Sequence, residues 1–105
     1  MKTFKLKMLF VLPNNLEQKE IKLLDGLIIN KEDDYYPNQW LIEAFVSKDY
    51  TTYFEKVMNI EELLLKVKIS KIENEPVLFK SKIIGINKIG ENINVLFKGN
   101  LEKKK

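Results

Sequence analysis

The side chains best suited to chemistry in this sequence are acidic and lie close together in one polar segment. Glu32, Asp33 and Asp34, with Asn38 shortly after them, supply oxygen atoms of the kind that bind Ca²⁺. An EF-hand loop also needs glycine at its sixth position and glutamate at its twelfth, and this segment has neither. A solvated loop is therefore favoured, and we predict neither a metal nor a cofactor.

A further carboxylate, Glu43, stands between Ile42 and Ala44 in a segment that we expect to form a buried strand. A carboxyl group in such a place can act as a general acid or base. Glu43 could equally pair with a lysine or lie at the rim of a barrel. Because no second catalytic group is evident, we predict no catalytic residue and expect a protein that is not an enzyme.

Aromatic residues form the remaining cluster of interest. Tyr35, Tyr36 and Trp40 surround Pro37, and aromatic side chains on a loop can stack on bases or sugar rings. The neighbouring aspartates would repel nucleic acid, so a loop pinned to the fold by its aromatic residues is favoured. The candidate interaction surface joins this loop to a predicted helix and comprises Tyr35, Tyr36, Trp40, Tyr50, Tyr53 and Phe54.

Three residue types are absent, namely cysteine, histidine and arginine, and all 18 cations are lysines. The sequence therefore excludes a disulfide, a thiolate nucleophile and the imidazole best suited to proton transfer near neutral pH. The net charge of +3 is supplied by Lys103, Lys104 and Lys105, which we expect to be a frayed, solvated tail. Nucleic acid is not an expected partner, since binding usually needs a basic stripe on the folded domain.

Alternating apolar and polar residues dominate the 105-residue chain, which has the length of one domain. The first predicted strand covers residues 3–12, with Phe4, Leu6, Met8 and Phe10 on one face. Asp25-Gly26 between two apolar segments predicts a hairpin with a type I′ turn. Further strands are predicted over residues 39–46 and 65–70 and from Val77 and Ile93 onward, with a turn over residues 87–92 that contains Gly90.

The period becomes helical only between Ser47 and Glu62. Ser47 is a suitable N-cap, and Tyr50, Phe54 and Val57 share one face that we expect to contact the sheet as a plug or lid. The whole pattern predicts a single mainly-β domain over residues 1–105. Its architecture is an antiparallel β-barrel of six or seven strands with one accessory helix.

Several segments resemble the YwpF-like family of small proteins from relatives of Bacillus and Staphylococcus. They are the opening residues 1–5, the segment Leu-Asp-Gly-Leu-Ile-Ile-Asn at 24–30, and residues 40–44 and 95–99. The resemblance implies a β-barrel core with an accessory helix, similar in fold to the tube-forming proteins of type VI secretion. It implies no catalytic motif.

Together these features favour a non-enzymatic barrel that acts through an unidentified protein partner. The alternative is a barrel that binds a small ligand or single-stranded nucleic acid. No apolar run approaches the ~20 residues of a membrane span, so we expect a soluble, cytoplasmic chain. Lys66, Lys68, Lys80 and Lys82 should discourage association through two neighbouring strands, which predicts a monomer or modest homodimer and no tube. Leu9, Val11, Asn94 and Leu96 are the expected outward-facing contact points.

Overall fold

A computed structural model describes residues 2–13, 17–31, 35 and 38–102 of the chain. In chain order its elements are β1 (Lys2–Leu12), β2 (Lys19–Ile21), β3 (Asp25–Asn30), β4 (Trp40–Ser47), a 3₁₀ turn (Lys48–Tyr50), α1 (Thr51–Val57), β5 (Leu63–Ile69), β6 (Val77–Ile89) and β7 (Asn92–Leu101). The predicted mainly-β class with one accessory helix is confirmed. Predictions for Glu32, Asp33, Asp34, Tyr36 and the tail Lys103–Lys105 lie outside the described residues.

The strands close into an antiparallel barrel. Six of them follow one another in the order β1-β3-β4-β7-β6-β5, and β5 pairs with β1 to complete the circle. β2 is an extra strand that lies against the second half of β1, where Leu9 is opposite Ile21. Closure satisfies the backbone groups of β1 and β5 over the length that the two strands share.

Apolar side chains from every strand, including the short β2, fill the barrel interior. Each is at most 5% exposed, and helix α1 adds Phe54 and Val57 at one end. The strand contributions are Leu6, Leu9, Val11, Ile21, Ile28, Ile42, Ala44, Val46, Leu63, Leu65, Val67, Phe79, Ile83, Ile93, Val95 and Phe97. The inward placement of Ile93, Val95, Phe97, Phe79 and Ile83 follows the alternation of the sequence. Packing of these side chains supplies the main stabilisation of the fold.

A β-bulge in β1 reverses the face that the sequence pattern predicts for its second half. The pairing of β1 with β5 shifts register between Leu6 and Met8, so one extra residue is inserted there. Leu6 and Leu9 consequently both point inward, three positions apart, and Val11 follows. The prediction that Leu9 and Val11 face outward is therefore wrong, because both are fully buried.

The predicted Asp25-Gly26 hairpin is also wrong. β2 and β3 do not pair with each other; both lie against β1, and Gly26 is inside β3 opposite Ala44. Gly26 has no positive φ, so turn conformation is not the reason for glycine here. A Cβ atom at this position would lie 2.9 Å from Cβ of Leu6, which makes close strand packing the physical reason.

The helical segment is shorter than the predicted span of residues 47–62. A 3₁₀ turn over Lys48–Tyr50 leads into α1, which ends at Val57, and β5 begins at Leu63. Ser47 is a cap as predicted, because its Oγ accepts a hydrogen bond from the backbone N–H of Asp49 at 3.1 Å. The prediction that Phe54 and Val57 face the barrel is confirmed by their burial.

Candidate functional site

The loop aromatics of the predicted surface lie where β4 begins. Trp40 is half-buried, and its ring meets that of Phe79 edge-on with centroids 5.5 Å apart. Its indole N–H donates to Oδ1 of Asn38 at 3.2 Å, and Asn38 Nδ2 donates to the carbonyl oxygen of Leu101. Tyr35 is 88% exposed. This end of the barrel is therefore held by Asn38, while Tyr35 is directed to solvent.

The helix aromatics lie at the opposite end of β4. Phe54 is fully buried, with its ring edge-on to that of Phe97 at a centroid distance of 6.0 Å, so it cannot contact a partner directly. Tyr50 and Tyr53 are half-buried, and Lys19 Nζ lies 5.2 Å from the centroid of the Tyr53 ring. Of the predicted surface residues that the structure describes, Tyr35 and Trp40 therefore lie at one end of β4 and Tyr50, Tyr53 and Phe54 at the other.

Tyr53 has an unusual environment within this helix. Its hydroxyl is buried and has no hydrogen-bond partner among the described residues. Burial raises the pKa of Tyr53 above its ordinary value of 10.0, because the charged phenolate loses contact with water. The hydroxyl therefore remains a neutral group at physiological pH.

Glu43 does not occupy the buried position expected from the sequence. It is half-buried on the outer face of β4, and its Oε1 accepts a hydrogen bond from Asn94 Nδ2 at 3.1 Å. The regular alternation of β4 directs Ile42 and Ala44 inward, so the residue between them points out. The neighbour that donates to Glu43 is the side-chain amide of Asn94 on β7, and an amide does not act as an acid or base in catalysis.

A groove of about 610 Å³ separates α1 from the tip of the β6–β7 hairpin. Its floor is apolar and contains Met58, Ile86 and Ile93, whereas charged side chains line its rims. One rim comes from the helical segment and the other from the strands; the polar and charged lining residues are Lys48, Asp49, Thr51, Glu55 and Lys88. Met58 remains 39% exposed, which is high for a large apolar side chain.

The strand that borders this groove has an open edge. β6 pairs with β7 from Phe79 to Ile89, but its pairing with β5 stops at Ser81. Among the described residues, no strand pairs with the other side of β6 from Lys82 to Ile89. We call this segment, together with the adjoining groove, the edge groove. Ile84 and Ile89 belong to the strand segment and are 46% and 50% exposed.

The hairpin geometry determines which backbone groups the open edge presents. Gly90 has a φ of 59° and forms, with Glu91, a two-residue turn between Ile89 and Asn92. Residues flanking such a turn bond to each other, and successive residues of a strand direct their N–H and C=O groups to opposite sides. Counting back from Ile89, Ile86 and Lys88 therefore present their backbone groups to the open edge.

Lysines mark both ends of this edge. Lys82 and Lys88 form no ion pair within the described part of the chain, whereas Lys48 pairs with Glu91 at 2.7 Å. No acidic residue lies between Lys82 and Ile89. Glu61 and Glu62 line a neighbouring pocket with Lys82, and Asp49 and Glu55 line the groove with Lys88. The edge therefore has a lysine without an ion pair near each end and is partly apolar.

Comparison with known proteins identifies the family. The sequence model of the YwpF-like protein family matches residues 2–105, almost the whole chain. The chain belongs to the YwpF-like family. It is similar to the uncharacterized protein YwpF of Bacillus subtilis (strain 168), with 41% identity over 109 residues that cover 100% of this chain and 79% of that protein. It also resembles a hypothetical protein from Staphylococcus aureus in its crystal structure, with a TM-score of 0.85, 26% identity and coverage of 100% of this chain and 73% of the other.

Membership in the YwpF-like family confirms the resemblance drawn from the sequence, and the closed barrel with its short helix confirms the implied β-barrel core with an accessory helix. In the described part of the chain, no helix has the length and hydrophobicity needed to cross a membrane. Residues 2–13, 17–31, 35 and 38–102 also contain no group of acidic side chains that could hold a metal ion. The edge groove was missed by sequence reasoning, which ended the β6 strand too early. The signal available was the series of isoleucines that continues past Ile83 to Ile84, Ile86 and Ile89, although a register shift between Ile83 and Gly85 interrupts its alternation.

Proposed function

We propose that this YwpF-like chain is a binding protein without catalytic activity, and that it contacts a protein partner at the edge groove. The observation that carries the proposal is the open stretch of β6 from Lys82 to Ile89 beside an apolar floor. An unpaired strand edge is a template for another chain, and exposed apolar side chains next to it favour contact with protein.

The filled interior of the barrel bears on the alternative of a ligand-binding barrel. Side chains such as Phe54, Phe79 and Phe97 occupy the space where a small molecule would bind, and each is fully buried. A ligand inside the barrel would have to displace close-packed side chains. Loss of the packing of one large core side chain costs about 3 kcal/mol in core mutations, and displacement should cost a similar amount. The outer surface is therefore the favoured place for binding.

We further propose that the chain is a monomer or a modest homodimer in the cytoplasm. Lys66 and Lys80 lie on adjacent strands, where they oppose the close approach of an identical face. Sedimentation velocity at micromolar concentration tests the oligomeric state, and a closed hexamer would contradict it. Fractionation of cells that express a tagged chain tests the location.

Site-directed photocrosslinking tests the proposed partner surface. The photoreactive residue p-benzoylphenylalanine replaces Met58 in one variant and Ile84 in a second, in Bacillus subtilis cells that express the chain. A matched control carries the same residue at Tyr35, which is more exposed but lies at the opposite end of the barrel. After irradiation, covalently attached proteins are identified by mass spectrometry.

The expected result is one protein attached through Met58 and Ile84 and absent from the Tyr35 control. Attachment through Tyr35 alone would move the interface to the aromatic loop and contradict the edge groove. Attachment of oligonucleotide instead of protein would favour the nucleic-acid alternative. If neither position captures a protein while all three variants remain folded by circular dichroism, the proposed function is wrong.

A further inference from the structure

We infer that the edge groove binds an extended segment of the partner as an added β-strand, and that this segment has acidic residues at its ends and apolar residues between them. The inference rests on the proposed function, because it specifies the chemistry of the same surface. It is carried by three features that coincide at β6: unpaired backbone groups, an apolar floor, and a lysine without an ion pair near each end of the open segment.

The backbone supplies the first feature. Ile86 and Lys88 direct their N–H and C=O groups toward the side of β6 that has no partner strand among the described residues. Groups of this kind bind an extended chain through main-chain hydrogen bonds, and these bonds are independent of the sequence of the added strand. A helix has no free backbone groups along its length and could not satisfy them.

The apolar floor restricts the side chains of the added strand. The side chains of Ile86 and Lys88 point to the groove face of β6, as do those of their partners Val95 and Ile93. An added strand alternates its side chains in the same way, so every second one would contact Ile86, Ile93 or Met58. Apolar residues at alternate positions therefore fit the groove.

The charges distinguish a foreign segment from a second copy of this chain. Two identical edges brought together would place Lys82 and Lys88 of both copies along one seam with no carboxylate between them. An acidic segment would neutralise the same lysines. Asp49 and Glu55 line the same groove, and Glu61 and Glu62 line a pocket beside Lys82, so the attraction for carboxylates is local to Lys82 and Lys88 and places the acidic residues of the segment at its ends.

A synthetic peptide provides the direct test. It is as long as the open edge, with glutamate at both ends and valine alternating with threonine between them. Binding to the isotope-labelled protein is followed by NMR, and amide hydrogen exchange of residues 82–89 is measured with and without the peptide. We expect slower exchange at Ile86 and Lys88, with little change at Asn87, whose backbone already bonds to β7.

Two N-methylated peptides separate strand addition from simple apolar contact. One is methylated at alternate backbone nitrogens, and the other at the nitrogens between them, so their composition and hydrophobicity are matched. Strand addition requires that one of them loses binding by about tenfold or more while the other changes by about twofold or less. Equal behaviour of the two would overturn the inference.

Lysine variants test the charge selectivity. The double variant Lys82→Gln, Lys88→Gln should bind the peptide about fivefold more weakly, as expected for two exposed ion pairs. Lys2→Gln is the matched control, because Lys2 is an exposed lysine of β1 at the far end of the barrel, and it should leave binding unchanged. A peptide with lysine in place of glutamate should bind more weakly than the acidic one; tighter binding would contradict the proposed partner chemistry.

The outcomes also separate this inference from the proposed function. Photocrosslinking at Met58 together with equal binding of both methylated peptides would retain the partner surface and exclude strand addition. Protection of residues 82–89 that grows with protein concentration in the absence of peptide would identify a second copy as the occupant and overturn the acidic segment.

Discussion

Gly99 provides a sharp test of how closely the strands of this barrel approach one another. It lies in β7 opposite Ser81 of β6, and a Cβ atom built on it would overlap the carbonyl oxygen of Lys80. The same atom would lie 2.7 Å from Cα of Ser81. Both are backbone atoms of β6 and cannot rotate away as the end of a side chain could. The substitution Gly99→Ala can therefore be accommodated only if β6 and β7 move apart.

The magnitude follows from two opposing effects. Replacing glycine by alanine at an unstrained site stabilises a protein by about 0.4–1 kcal/mol, because the unfolded chain loses freedom. Overpacking a buried contact costs about 1–3 kcal/mol. Movement at Ser81 would also disturb its hydroxyl, which donates to the carbonyl oxygen of Leu63 at 3.0 Å. We expect a net loss of about 2 kcal/mol, which lowers Tm by roughly 10 °C for a domain of this size.

Gly85 is the matched control, since it lies in the same hairpin. A Cβ atom there would be 3.6 Å from Cδ1 of Leu96, an ordinary contact. Gly85→Ala should therefore change the free energy of unfolding by about 0.5 kcal/mol or less. Urea and thermal unfolding of both variants, followed by far-ultraviolet circular dichroism, makes the comparison. Equal stabilities of the two variants would refute the close approach of β6 and β7 at Gly99.

Three further substitutions test the core and the loop closure. Phe54→Ala should lower the free energy of unfolding by about 3 kcal/mol, because the ring is fully buried; a loss below about 0.5 kcal/mol in urea unfolding would mean that the helix face is exposed. Tyr53→Phe should leave stability at neutral pH unchanged or slightly higher, since its hydroxyl is unpaired among the described residues. The raised pKa of Tyr53 also means that the contribution of this group to stability is fully present below pH 10.0 and is lost as the pH rises through the folded-state pKa, so this variant should lose less stability at alkaline pH than the wild type. Asn38→Ala should cost about 2 kcal/mol, because alanine loses the side-chain hydrogen bonds to Trp40 and Leu101 and is also strained at a φ of 58°. Asn38→Gly loses the same hydrogen bonds without that strain and should be less damaging in the same unfolding assay.

Local patterns predicted the type of most elements, and they failed where a strand is irregular or changes partner. Residues Met8–Leu12 are apolar at every position, so alternation cannot decide which of them face inward. The bulge near Lys7 determines which side chains face inward. The bulge in turn depends on how β1 pairs with β2, β3 and β5 along its length. Those partners are distant in sequence, and no local signal encodes the extra residue.

Asp25-Gly26 failed for a related reason. The dipeptide has the sequence of a tight turn, but the neighbouring strands are paired elsewhere, and Gly26 serves close packing against Leu6. The edge groove was similarly hidden, because it depends on β6 extending past the end of β5. The length of one strand can be predicted from its own residues. How far one strand extends beyond its partner can be predicted only when the register of the pair is known.

The position of β7 between β4 and β6 determines when the barrel can close during synthesis. β7 is synthesised after the other six described strands, so the edge of β4 from Trp40 to Ser47 that pairs with β7 stays unpaired until then. Before that moment the nascent chain holds a partial sheet with open edges and an uncovered apolar face, a state prone to aggregation. Closure also joins strands far apart in sequence, which slows folding. Chains truncated before Asn92 are therefore expected to need chaperone protection, because the barrel can close only once β7 has been made.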